Sequence, residues 1–160
     1  MTGDFLIRAT AAIAAVAFAV RLRPGLRGLS PNSMRSARNW WSLGAAAIVL
    51  HVFAAFQVRH GWSHAAAWEH TRAQTLLFTG WNSGHGLYAN YALTILWAFD
   101  AAAWWIMPDW PQRHRIWAGT LLAGCGFLMF HATAVFGPWY WKWVVGLYVI
   151  WCAMKWVRNH

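Results

Sequence analysis

The stretch of sequence that decides the fold runs from Trp40 to Val58 and reads WWSLGAAAIVLHVFAAFQV. It contains no Lys, Arg, Asp or Glu, and a run of about 20 mainly apolar residues is long enough to cross a bilayer as a helix. Its one ionisable side chain is His51. The segment therefore predicts a membrane-spanning helix with a single imidazole inside it.

The composition of the whole chain indicates the same class of protein. Of 160 residues, 59% are hydrophobic and 11% are charged, whereas soluble domains carry about 25% charged residues. Aromatic residues make up 18% of the chain and include 15 Trp, which excludes a disordered chain and is typical of membrane interfaces. We therefore predict an all-α, polytopic transmembrane helix bundle in a bacterial inner membrane, with the lipid bilayer as a partner.

Five apolar runs are long enough to span the bilayer, and together they make one domain of residues 1–160. The first run also has the length of a signal peptide, but its excess of Arg follows the apolar stretch instead of preceding it. We keep this run as a span, and four spans remain if it is cleaved. The predicted spans run from Phe5 to Leu22, from Trp40 to Val58, from Gly86 to Met107, from Ile116 to Phe136 and from Trp139 to Val157.

The distribution of Lys and Arg predicts the orientation of the bundle. Short loops rich in these residues stay on the cytoplasmic side, and nine of the 13 cations fall on one side, so the N-terminus is predicted outside and the C-terminus inside. In a soluble protein the net charge of +9 would indicate nucleic acid, but topology explains it here and no nucleic-acid partner is expected. The nine cations are Arg21, Arg23, Arg27, Arg35, Arg38, Arg113, Arg115, Lys155 and Arg158.

The tryptophans agree with this topology. Most of them, including Trp41, Trp110 and Trp117, fall at or beyond the predicted ends of spans, whereas Trp97 and Trp151 lie well inside. Indole rings prefer the headgroup level, where the ring is in apolar surroundings and the N–H is wet. An aromatic belt therefore explains most of these residues.

Residues 59–85 form the one sizeable segment predicted to lie outside the spans on the outer side. Within it, the stretch from Ser63 to Arg72 predicts a short amphipathic helix, because the Ser63 hydroxyl can cap a free backbone N–H of the first turn. Trp62 and Trp68 could lay this helix on the membrane surface.

Two imidazoles inside the predicted spans suggest a cofactor. His51 and His131 are expected at similar depth near the outer face, and adjacency of the second and fourth spans would bring the two rings together. A haem b iron could then be bound between them, as in other helix bundles. The alternative is that each histidine makes an interhelical hydrogen bond, which is the more common role of a polar residue in a span.

The outer loop contains further metal-ligating residue types. His60 and His64 are four residues apart, so they would share one helical face if the helix continues past Arg59. Imidazoles at this spacing can chelate zinc or copper. The alternative is a hydrated polar loop without a metal. The full candidate set is His60, His64, Glu69, His70 and His85.

Asp100 is the one acid inside a predicted span, and ionisable groups in a bilayer often mark function. It could serve in a proton relay, or structurally, either neutral or paired with a cation such as Arg38, Arg115 or Lys155. Because it lies on the cytoplasmic half and His51 on the outer half, direct contact between them is not expected.

These features leave three functional hypotheses from different classes. The first is a non-catalytic accessory or assembly subunit that uses its outer loop to bind other membrane subunits. The second is a redox subunit that binds haem b, or another metal, through His51 and His131. The third is passage of protons or metal ions through Asp100 and the outer histidines. No nucleotide-binding, hydrolase or dinucleotide-binding motif is present in the sequence, which argues against an enzyme.

Overall fold

The structure is a computed structural model that describes residues 2–22 and 31–130, together with the single helical positions 143, 146, 147, 150 and 154. All elements of the described ranges are helical, which confirms the all-α class, and none of these residues lies in a strand. A π-helical turn, Phe56–His60, continues α2 directly. The α-helices are α1 (Thr2–Leu22), α2 (Pro31–Ala55), α3 (His64–Thr79), α4 (Gly86–Ile106), α5 (Trp110–Arg113) and α6 (Arg115–Phe130).

Helices α1 and α2 form an antiparallel hairpin. The start of α1 lies beside the end of α2, where Asp4 forms a salt bridge of 2.8 Å with Arg59. At the other end of the hairpin, the rings of Phe18 and Trp41 have centroids 6.3 Å apart. Small residues allow the close approach between the two helices, because a Cβ atom added at Gly44 would lie 3.4 Å from Ala17.

Helix α4 packs antiparallel to α2. Near the start of α4 the ring of Tyr91 lies 6.1 Å from that of Phe56, and towards its end the Trp97 ring lies 4.8 Å from that of Trp41. Trp97 is only 1% exposed, and it fits because Gly44 has no side chain. A Cβ atom on Gly44 would come within 2.5 Å of the Trp97 ring.

A tight corner separates α2 from α3. The π-helical turn ends at Gly61, whose φ of 53° is left-handed, and Trp62 follows with a φ of 61°. Helix α3 then starts with the Ser63 hydroxyl accepting from the Ala66 backbone N–H at 3.2 Å, which confirms the predicted cap. Helical structure continues past Arg59 only to His60, so the condition under which His60 and His64 would share one helical face is not met, because Gly61 and Trp62 reverse the chain.

The predicted apolar segments correspond to helices with shifted boundaries. Helix α2 starts nine residues before Trp40, so Arg35 and Arg38 lie on the helix instead of in a loop. Helix α3 ends at Thr79 and is longer than the predicted Ser63–Arg72 segment. The fifth predicted span lies almost wholly outside the described residues.

Two helices of the described part of the chain are long and apolar enough to cross a membrane, judged by length and composition. They are Gly3–Leu22 and Asn32–His60. Helix Arg115–Phe130 is apolar but shorter. This result allows a membrane location, but it does not extend to five spans or to an orientation.

Candidate functional site

The carboxylate of Asp100 is the centre of the most elaborate polar site in the described residues. Asp100 is buried, with 4% of its surface exposed. Its Oδ1 atom accepts hydrogen bonds from the indole N–H groups of Trp110, at 2.8 Å, and Trp117, at 2.7 Å. Its Oδ2 atom accepts from the indole N–H of Trp41 at 2.8 Å. Three donors from three helices therefore converge on one carboxylate.

This arrangement satisfies a buried acid without a salt bridge. An indole N–H can only donate, and a carboxylate can only accept, so the donor and acceptor types match at every contact. Hydrogen bonds to a charged group contribute about 1.5–3 kcal/mol each. The site therefore links α2, α4, α5 and the first turn of α6 through a single side chain.

A cation that the sequence did not indicate, Arg21, interacts with the site. Arg21 is 5% exposed, its guanidinium lies 5.2 Å from the centroid of the Trp104 ring, and it interacts electrostatically with Asp100. No described residue forms a salt bridge with Asp100. Arg38, one of the predicted partners, lies over the Trp105 ring instead. Lys155 lies outside the described residues.

A second layer of aromatic side chains holds Trp41 in place. The indole N–H of Trp97 donates to the backbone carbonyl of Trp41 at 3.2 Å. Phe18 of α1 approaches Trp97 edge-on, with a centroid distance of 6.2 Å. Since Trp41 and Trp97 are both almost fully buried, these tryptophans belong to the core and not to an interfacial belt.

His51 is held by α1. Its Nδ1 atom lies 3.0 Å from the backbone carbonyl oxygen of Ile7 and 3.4 Å from the hydroxyl of Thr10. This is an interhelical hydrogen bond, the alternative that the sequence analysis offered for His51. His131, its predicted partner in a haem site, lies outside the described residues, so the pairing stays a prediction.

The outer imidazoles do not converge on one point. The rings of His60 and His70 lie 5.4 Å apart, but His64 lies near the Tyr91 hydroxyl, at 3.3 Å, and His85 near the Ser83 hydroxyl, at 2.8 Å. Within residues 2–22 and 31–130 no three His, Cys, Asp or Glu side chains form a group that could bind a metal. The corner at Gly61 accounts for the separation of His60 from His64.

Glu69 has a structural partner. The Nε atom of Arg72 donates to its carboxylate at 2.8 Å, and a second guanidinium nitrogen donates at 2.5 Å. This hydrogen bonding holds the pKa of the Glu69 carboxyl below its usual value. Arg72 also donates to the side-chain oxygen of Asn82. The three residues connect α3 to the loop before α4.

The sequence pattern indicates Asp100 but not its donors. Trp41, Trp110 and Trp117 all fall at the cytoplasmic ends of predicted spans, and a belt was sufficient to explain them. The position of Asp100 inside an apolar run could have predicted these donors. A buried carboxylate needs hydrogen-bond donors from residues that lie at the same height along the neighbouring helices. No protein-family model, curated protein or solved structure matches this chain.

Proposed function

We propose that this chain is an integral membrane protein that serves as a non-catalytic accessory or assembly subunit, with α3 and the loop after it as the surface that contacts other subunits. The observation that carries the proposal is the exposure of large apolar side chains there. Leu77 is 75% exposed and Trp81 is 76% exposed. They lie in a segment outside the two helices that are apolar enough to span.

The burial of the two candidate spans supports the membrane setting. Only 28% of the apolar window of each helix is buried, whereas a core helix of a soluble protein is buried along most of its apolar face. Large side chains such as Phe5, Leu50 and Phe53 are more than half exposed. Lipid would solvate these exposed apolar faces of α1 and α2 more favourably than water.

The full proposal is five spans with the N-terminus outside. Helix α4 is 21 residues long and packs antiparallel along α2, so its length and direction support a third crossing, although its mean hydropathy is lower than that of the two candidate spans. The predicted fourth and fifth spans complete the bundle. In this arrangement the Asp4–Arg59 pair and all of α3 lie on the outer side, and the Asp100 site lies towards the cytoplasm.

The Asp100 site supports a structural role over proton relay. Both carboxylate oxygens already accept hydrogen bonds from indole N–H groups. An indole nitrogen does not ionise at physiological pH and offers no acceptor. Protonation of Asp100 in a relay would remove the charge that strengthens the contacts connecting four helices, which favours the structural role.

Purification of the tagged chain in a mild detergent tests the proposal. We expect it to migrate as part of a defined larger complex, and the double variant Leu77→Ser, Trp81→Ser to migrate alone while keeping its helical content. Ala73→Ser, an exposed change on the same helix, is the matched control. Co-migration that survives the double variant, or a wild-type chain that is monomeric, would contradict the proposal.

A second candidate function is haem binding through His51. Its Nδ1 atom lies against the Ile7 carbonyl, and a histidine that donates from one ring nitrogen to a backbone carbonyl presents the other as a metal ligand. The test is the absorption spectrum of the purified chain. Haem binding predicts a Soret band that is lost in both His51→Ala and His131→Ala, whereas a wild-type spectrum without this band excludes it.

A further inference from the structure

The four acidic side chains of the protein are all engaged. Three of them pair with arginines: Asp4 with Arg59, Glu69 with Arg72, and Asp109 with Arg113. The fourth, Asp100, accepts from three indoles. Residues 2–22 and 31–130 contain eight of the 13 Lys and Arg, and five of these eight form no salt bridge with an acidic side chain. Their counter-charge has to come from outside the chain.

Arg38 is the cation whose environment is most specific. Its guanidinium carbon lies 3.8 Å from the centroid of the Trp105 ring, and this ring is itself fixed by a 2.8 Å hydrogen bond from its N–H to the Ser42 hydroxyl. A guanidinium stacked on an anchored ring loses little further freedom when it binds a ligand. The position of the charge is therefore set in advance.

Arg38 also has an unsatisfied hydrogen-bonding atom, and so does Gln112 of α5. Arg38 Nε is a donor that a phosphate oxygen can satisfy, whereas Gln112 Oε1 is an acceptor that needs a hydroxyl group or water. In the described part of the chain, Arg38 Nε and Gln112 Oε1 are the two buried side-chain polar atoms without a hydrogen-bond partner. The amide nitrogen of Gln112 contacts the sulfur of Met34 at 3.0 Å, and Met34 lies one helical turn before Arg38 on the same face of α2. Buried unsatisfied atoms are rare and often mark a missing ligand or water.

We propose that Arg38 forms the centre of a binding site for the phosphate of an anionic phospholipid. A phosphate oxygen accepts from a guanidinium in a short, charge-assisted hydrogen bond, and it supplies the negative charge that the chain lacks here. Basic sites between helices at the cytoplasmic side of a membrane bind such headgroups.

The surroundings favour a lipid over free phosphate. Trp105 is 53% exposed and Ile106 is 79% exposed, so apolar surface lies directly beside the charge at the end of α4. An acyl chain can cover this surface while the headgroup binds Arg38. Arg21 on α1, buried over the neighbouring Trp104, adds a second positive charge at the same end of the helices.

Binding of short-chain lipids to the purified full-length chain, measured by native mass spectrometry, tests the site. The probes are dioctanoyl phosphatidylglycerol, dioctanoyl phosphatidylcholine and inorganic phosphate. We expect phosphatidylglycerol to bind at least about tenfold more tightly than either of the others. Phosphatidylcholine has the same phosphate, but the quaternary ammonium of its headgroup cancels the net negative charge, and inorganic phosphate has no acyl chains to cover Trp105 and Ile106. Equal binding of phosphatidylcholine, or phosphate binding as tight as that of the anionic lipid, would overturn the proposal.

Two variants and a control separate the site from general charge attraction. Arg38→Gln is expected to lose about tenfold in phosphatidylglycerol affinity. Arg38→Lys keeps the charge and serves if the first variant does not fold, and we expect a smaller loss because Lys makes no planar, stacked contact. Arg35→Gln removes one exposed charge from the same helix and should change the affinity less than twofold. An equal loss in Arg35→Gln, or no loss in either Arg38 variant, refutes the assignment.

Discussion

At Asp100 the two carboxylate oxygens accept different numbers of hydrogen bonds. Oδ1 accepts from Trp110 and Trp117, and Oδ2 accepts from Trp41 alone. An amide in place of the carboxylate can satisfy only one of these two sides, because its oxygen accepts and its nitrogen donates. The chemistry of a single side chain therefore determines whether α5 and α6 remain attached to α2.

We expect Asp100→Asn to destabilise the protein by about 1–3 kcal/mol, the cost of a buried donor without an acceptor. The amide oxygen can still face Trp110 and Trp117, but the amide N–H₂ then points at the N–H of Trp41. Thermal unfolding in detergent measures the effect. Asp109→Asn, at an exposed acid, is the control and should change the melting temperature much less.

Trp41→Phe in the Asp100→Asn background provides a sharper test. The phenylalanine removes the donor that opposes the amide, so the double variant should be less destabilised than the sum of the two single variants. The measurement is a double-mutant cycle from the same unfolding data. Strict additivity would mean that the indole of residue 41 does not bind Asp100.

Close packing of α2 against α4 depends on one glycine, Gly44. A Cβ atom at Gly44 would lie 2.5 Å from the Trp97 ring, closer than any real contact. Trp97 cannot move away easily, because its N–H binds the carbonyl of Trp41. The two helices therefore have a defined register, and the Asp100 site depends on it.

Gly44→Ala is expected to destabilise the protein by about 1–3 kcal/mol through overpacking. Gly119→Ala is the matched control, since nothing lies within 4 Å of the new methyl group and alanine favours a helix by up to about 1 kcal/mol. The measurement is the free energy of unfolding of both variants. A neutral Gly44→Ala would show that Trp97 is not held against α2.

The connection from α3 to the loop before α4 should depend on pH. Arg72 lowers the pKa of Glu69, so the stabilisation is complete above the unfolded-state pKa of about 4.3. It is lost as the pH falls through the lower pKa of the folded state. The protection of the Asn82 and Ser83 amides, which is the ratio of the intrinsic to the observed exchange rate, should therefore fall on acidification, so that exchange accelerates relative to the intrinsic rate at each pH. The Glu69→Gln variant should show fast exchange at neutral pH and no such additional acceleration.

For the whole molecule, all four acids are engaged within the chain while the cations far outnumber them. This imbalance is consistent with a protein whose cationic side chains bind the anionic headgroups of a lipid surface. The two proposed binding surfaces are separate, since the apolar surface of α3 and the cation-rich end near Arg38 lie at opposite ends of the α1–α2 hairpin.

The proposed orientation predicts which ends are accessible from outside the cell. In a chain with Cys125→Ala and Cys152→Ala, a membrane-impermeant maleimide should label Thr79→Cys in intact cells. His114→Cys should be labelled only after the membrane is permeabilised. Both positions are exposed, so access and not burial controls the reaction. The reverse pattern would show the opposite orientation.

The sequence by itself determined the all-helical class, both ends of α4 to within one residue, and the Ser63 cap, whereas the start of α2 and the end of α3 differ from the prediction by nine and seven residues. These follow from local patterns, because apolar runs and capping residues act on their own neighbours along the chain. It also identified Asp100 and His51 as polar groups in apolar segments that needed partners.

Only the tertiary structure decided which residues are the hydrogen-bond partners of Asp100 and His51. Trp41, Trp110 and Trp117 reach one carboxylate because Gly44 lets α4 approach α2, and because α5 follows α4 after a short turn. The corner at Gly61 and Trp62 separated His60 from His64, although their spacing suggested one helical face. Such contacts depend on the distance between residues far apart in the chain, which helix packing sets and local periodicity does not contain.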